Sequence, residues 1–132
     1  MKKKLAFFLI SIFCVGCDYQ STQYIEGFLL RDGQPVAGID VELVSGDDYE
    51  KCGSTQISTV SDQEGKFIFE RSIQKSRIHN YVHLDSLCLY SNGKWIIVWK
   101  STHAPAPNRM NFECNKVSDD DWQCVMNGLK SD

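Results

Sequence analysis

The chain has 132 residues, 42% of them hydrophobic and 23% charged, with a formal net charge of −3. Three of its 14 basic residues are the leading lysines Lys2–Lys4; the other 11 face 17 acidic side chains, a net of −6. A balance this acidic excludes nucleic acid as a partner, because that binding rests on Lys and Arg neutralising phosphates, and it leaves no basic patch for anionic lipid heads.

Lys2–Lys4 are followed by an apolar run, Leu5 to Val15, too short to span a bilayer. The small residue Gly16 then stands directly before Cys17. Charge, apolar run and small residue are the layout of a secretory signal, which is removed and takes no part in the fold. Residues 1–16 are therefore predicted to be a leader, leaving 116 of the 132 residues, one small domain that buries roughly two-thirds of its unfolded surface. Small residue then cysteine at the end of such a leader resembles the bacterial lipobox. The resemblance implies that Cys17 becomes the lipidated first residue of the mature chain, with three acyl chains, palmitate among them. Two or more acyl chains anchor stably at ~0.8 kcal/mol per buried methylene. Asp18, next in line, tends in enterobacteria-like systems to keep a lipoprotein on the inner membrane, with the outer membrane the other option. Cys14 stands where the lipobox prefers Leu, and bulky Phe13 makes Cys14 the poorer lipid acceptor. The competing reading is an ordinary cleaved leader, with Cys17 in a disulfide.

Asp18 to Gln23 is predicted to be a short polar tether within residues 17–23, and residues 24–132 to be the folded domain. From Tyr24 the hydrophobic period is two. Ile25, Gly27 and Leu29 alternate with Glu26 and Phe28, and Asp32-Gly33 breaks the run before Pro35. Ile39, Val41 and Leu43 alternate with Asp40 and Glu42, which predicts one buried and one wet face. Thr55 to Val60 reads as a third strand. In the turn Ser61 to Gly65, Asp62 is expected to bond backbone two residues on and Gly65 to adopt positive φ. Phe67 and Phe69 then share one face of a fourth strand. Residues 73–78 could make one helical turn. Tyr81 to Tyr90 and Lys94 to Lys100 flank Asn92-Gly93, the strongest short hairpin signal. Strict alternation puts Trp95, Ile97 and Trp99 on one face and Ile96 and Val98 on the other, as in a central strand. His103 to Asn108 is a stiff loop. Met110 to Cys114 and Trp122 to Met126 form a last hairpin around Ser118 to Asp121. Seven or eight short strands predict an all-β, two-sheet sandwich.

Cys52, Cys88, Cys114 and Cys124 remain beyond Cys17, an even number that implies disulfides in an exported chain and allows three pairings. Cys114 and Cys124 flank a turn that brings two strands together, so they are expected to pair, leaving Cys52 for Cys88.

Gly27, Asp32-Gly33-Gln34-Pro35-Val36-Ala37-Gly38, Val41, Leu43 and then Ser61-Asp62-Gln63-Glu64-Gly65-Lys66-Phe67-Ile68-Phe69 resemble the carboxypeptidase regulatory-like domain, one of the transthyretin-like (prealbumin-like, Ig-like) sandwiches. The resemblance covers Tyr24 to Glu70 and implies a fold rather than an activity, since each matching residue is structural. The second half, with its cysteines and tryptophans, departs from that pattern.

Catalytic and metal chemistry find little footing. There is no zinc-ligand motif, no nucleophile elbow and no glycine-rich phosphate loop. His79 and His83 lie ~13 Å apart along an extended strand, too far to share one metal. Asp119, Asp120 and Asp121, with Asp47, Asp48 and Glu50, fall short of calcium's six to eight convergent oxygens. The expectation is a non-enzymatic chain with no cofactor or metal, a membrane-anchored, periplasm-facing lipoprotein that acts as a binding or structural module. A protein partner would meet the acidic tip Asp119–Asp121 with Trp122 as its aromatic anchor. Trp95 and Trp99 are either core residues or an exposed stripe. The alternatives are an immunity lipoprotein that neutralises a periplasm-delivered toxin and a secretion-system-associated lipoprotein.

Overall fold

A computed structural model describes residues 18–54, 57–76, 84–101 and 107–128. The strands are β1 (Asp18–Arg31), β2 (Gln34–Pro35), β3 (Asp40–Ser45), β4 (Ile57–Val60), β5 (Lys66–Ser76), β6 (Asp85–Ser91), β7 (Lys94–Lys100), β8 (Arg109–Ser118) and β9 (Asp121–Gly128). A single 3-10 turn, Gly46–Asp48, follows β3. Among the described residues eight of the nine strands have four residues or more, and the chain is an all-β sandwich of two sheets.

One sheet runs β2-β1-β8-β9, with β5 also paired to β1; the other runs β4-β3-β6-β7. β4 lies beside β5, and β7 beside β9. Residues of inward parity fill the space between the sheets: Ile25 and Leu29 from β1, Val41 and Leu43 from β3, Phe67 and Phe69 from β5, Leu87 and Leu89 from β6, Met110 and Phe112 from β8. Each such side chain contributes roughly 1.5–3 kcal/mol when fully buried.

The turn chemistry follows the residues. Asp32-Gly33 and Asn92-Gly93 each place two successive residues at positive φ (50° and 76°, 55° and 76°), the requirement of a tight hairpin turn. Asp62 Oδ1 accepts hydrogen bonds from the N–H groups of Glu64 and Lys66, both at 2.9 Å. Gly65 has φ +72°, and a Cβ there would lie 2.5 Å from the Leu29 carbonyl oxygen.

Four expectations need correction. The tether is strand: Asp18 to Gln23 pair antiparallel with Ser76 to Arg71. Gln23 is fully buried, because its side chain accepts from Arg71 Nε (2.7 Å) and donates to the Pro107 carbonyl (2.8 Å). The same ladder makes residues 73–76 strand where a helical turn was expected, and Ile73 enters the core; residues 77 and 78 lie outside the described residues. β3 has no wet face. Glu42, only 1% exposed, lies beneath the loop after β3 and accepts from Gly53 N–H (2.5 Å) and Ser54 Oγ (3.2 Å). Finally, β7 is an edge strand. A β-bulge shifts its register, pairing Leu87 with Trp99 but Cys88 with Ile97. The extra residue breaks the alternation, so Ile96, Val98 and Trp99 all pack against the core.

The parallel pairing of β1 with β8, from Tyr24↔Arg109 to Arg31↔Lys116, places sequence-distant strands side by side and gives the sandwich two distinct ends. At one end Asp85 and Arg109 lie level with Gln23 and Tyr24, and the β1–β5 ladder runs on past them to Asp18 and Ser76; at the other are the 31–34, 61–65, 92–93 and 118–121 turns.

Candidate functional site

The second end gathers the candidate partner surface. β8 and β9 meet in the turn at Asp119 and Asp120, and Cys114 lies directly opposite Cys124 in their ladder. These two cysteines form one disulfide; Cys52 and Cys88 form the other. The second bond ties the loop after β3 to β6, over the outer face that holds Glu42.

Asp119, Asp120 and Asp121 are exposed. They are also braced. Asn92, in the hairpin turn of the opposite sheet, donates to the Asp119 carbonyl (3.2 Å) and to Asp120 Oδ1 (2.7 Å). Arg31, Asp32, Lys116, Val117, Ser118 and Asp119 line a neighbouring depression of about 120 Å³. The tip is therefore not purely acidic, since two cations share its rim.

Trp122 is not exposed beside the turn, where a partner would meet it. It is 4% exposed, and its indole N–H donates to Ser91 Oγ of the other sheet at 3.3 Å. Its inward parity on β9 sends the ring between the sheets, next to Cys114 and Cys124 in the core. The two other tryptophans divide. Trp99 packs edge-on against Phe112 across the sandwich, with ring centroids 5.0 Å apart. Trp95 remains half-buried on the outer face, edge-on to Tyr90 at 5.3 Å.

The polar cluster that sequence reasoning missed lies toward the first end, between the sheets. Asp85 is 1% exposed and receives both terminal nitrogens of Arg71, at 2.9 and 2.8 Å. Arg71 also donates to Ser45 Oγ (2.6 Å), Ser45 donates to Asp85 Oδ1 (2.5 Å), and Asp85 N–H donates to Ser101 Oγ (2.9 Å). Arg71 comes from one sheet and Asp85 from the other, so the pair clamps the layers together. A bidentate, hydrogen-bonded pair of this kind offsets the cost of burying its charges. It was detectable: Arg71 occupies an inward slot in the row Phe67, Phe69, Arg71, Ile73, and Gln23 precedes Ile25 in the same way.

At the surface, Lys100 donates to Glu50 at 2.7 Å. That hydrogen bond and the ammonium charge hold the Glu50 carboxyl below its ordinary pKa, and the hydrogen bond to Glu50 raises that of Lys100. Among the described residues, no three His, Cys, Asp or Glu side chains converge to hold a metal ion. His79, His83 and the expected lipid acceptor Cys17 lie outside the described residues.

The fold thus defines a disulfide-stapled, two-sheet β-sandwich with an exposed, braced acidic turn. Residues 25–116 match the family described as Domain of unknown function (DUF6795), and the chain belongs to that family. The match ends at Lys116, before the acidic turn and β9. No curated protein and no solved structure matches the chain.

Proposed function

We propose that the protein is a non-enzymatic lipoprotein, anchored through Cys17 and facing the periplasm, whose sandwich is a transthyretin-like binding or structural module. The observation that carries the reading is the joint occurrence of the Lys2–Lys4, Leu5–Val15, Gly16-Cys17 leader with two disulfides in the domain that follows it. Disulfides persist in oxidising compartments outside the cytoplasm, which is where a chain with this leader is delivered. The large buried carboxylates support the non-enzymatic part of the reading, because Asp85 and Glu42 serve as hydrogen-bond acceptors inside the structure.

The test is localisation. Wild-type protein fractionates with membranes and incorporates a labelled fatty acid, whereas Cys17→Ser is unlabelled. Equal labelling of the two forms refutes the anchor. A second reading, an immunity lipoprotein, is favoured by the exposed aspartates, which suit a cationic partner through charge steering. In that case Asp119→Asn/Asp120→Asn/Asp121→Asn slows association with the toxin at low salt more than at high salt.

A further inference from the structure

Resting on the lipid-anchored reading, we infer that the sandwich docks on its own bilayer through the end that carries Asp18 to Gln20 and Gln74 to Ser76. Among the described residues no flexible leash precedes the fold. Cys17 precedes the first strand residue by one peptide bond, so their Cα atoms are ~3.8 Å apart. From Asp18 onward the chain is held in a ladder, Asp18↔Ser76, Tyr19↔Lys75 and Gln20↔Gln74.

Side chains brace the ladder. Gln74 Nε2 donates to Asp18 Oδ2 at 3.3 Å and Ser72 Oγ to Gln20 Oε1 at 3.0 Å, while the Lys75 ammonium donates to Asn108 Oδ1. Three chain segments therefore meet where a Gly/Ser-type linker would otherwise give free reach.

The end has the chemistry of a membrane interface. Tyr19 is 45% exposed although its neighbours along the same face, Gln23 and Ile25, are fully buried. Two residues from the lipid-bearing cysteine, its ring lies at headgroup depth, given a headgroup layer of roughly 5–8 Å per leaflet. An apolar ring with a polar tip suits that layer. Among the described residues of this end, the ladder carries one anion, Asp18, and one cation, Lys75. This near-neutral pair fits a zwitterionic phospholipid surface better than a strongly anionic one.

Orientation follows. β1 has 14 residues, which at ~3.3 Å each make it roughly 43 Å long. With its first residue at the bilayer, the turns at 31–33, 92–93 and 118–121 form the opposite end. The acidic turn is thus presented at a fixed height, and a partner must come close to the membrane to meet it.

Neutron reflectometry on the acylated protein in a supported phosphatidylethanolamine-rich bilayer tests this, with the N-terminal mass measured on the same sample. The expected profile is a protein layer roughly 45 Å thick that starts in the headgroups. Hydrogen exchange should show the 18–23 and 71–76 amides protected in the same sample, and Tyr19→Ser should broaden the profile while the core amides exchange as before. A water layer of about 10 Å or more between headgroups and protein, which is three extended residues of slack, overturns the docking while leaving the anchor intact. A layer of about half the expected thickness overturns the upright orientation. A chain without acyl mass overturns the anchor and this inference together.

Discussion

Arg71→Ala isolates the clamp between the sheets. The substitution leaves Asp85, 1% exposed, without its cationic partner, and removes the donors that satisfy Gln23 Oε1 and Ser45 Oγ. Breaking one side of a buried ion pair costs about 3–5 kcal/mol. That is a large share of the ~5–15 kcal/mol available to a small domain. At about 4 °C per kcal/mol for a domain near 110 residues, the midpoint should fall by roughly 12–20 °C. The assay is urea and thermal unfolding of the lipid-free, disulfide-intact domain, followed by far-UV circular dichroism. A companion variant supplies the control: Arg71→Met/Asp85→Leu removes both charges and should recover most of the loss, since apolar replacement of a buried pair is often neutral. If Arg71→Ala loses less than about 1 kcal/mol, within the range of an exposed pair, the clamp is not a buried structural element. If the double variant is as damaged as the single one, the cost lies in packing and in the unsatisfied Gln23 and Ser45 oxygens rather than in an orphaned charge.

Other substitutions reach separate features. Gly65→Ala should destabilise by more than about 2 kcal/mol in chemical denaturation, from strain at positive φ plus the clash with Leu29, whereas Gly33→Ala, at φ +76° with open space around it, should cost about 1 kcal/mol; equal losses refute the close approach. The paired serine variant of Cys52 and Cys88, which span 36 residues, should lose about 4 kcal/mol, against about 3 for Cys114 and Cys124, which span 10. Limited proteolysis should then cut the first variant in the loop over Glu42; an intact loop contradicts the role assigned to that bond. Lys100→Met should raise the Glu50 carboxyl toward its ordinary pKa, read by NMR titration, because the Lys100 hydrogen bond and charge that chiefly depress it are gone. For wild type, the Glu50 contribution to folding is present above the unfolded carboxyl pKa and is lost as pH falls through the depressed folded value.

Local signals in the sequence went a long way toward this fold. Period-two runs placed the strands, Asp32-Gly33 and Asn92-Gly93 placed two turns, and the spacing of Cys114 and Cys124 around Ser118 to Asp121 gave a directly opposed cross-strand pair. What escaped depends on tertiary partners. Alternation cannot foresee the bulge beside Val98, which turns Trp99 inward, nor the loop that buries Glu42. The polar composition of Asp18 to Gln23 reads as a tether because its ladder partners, Ser76 to Arg71, lie some 50 residues away on β5. Trp122 was legible as an aromatic beside an acidic turn, but its inward parity on β9 and the hydroxyl of Ser91 decide its place. The candidate surface was therefore half readable: the aspartates from their run in sequence, their Asn92 brace only from the meeting of two hairpins.

The most direct measurement is intact mass spectrometry of the N-terminal peptide from protein purified out of membranes. This peptide is expected to begin at Cys17 and to carry the mass of a diacylglyceryl group plus an amide-linked acyl chain. An unmodified N-terminus, or one that begins elsewhere, contradicts the membrane anchor on which the functional reading depends.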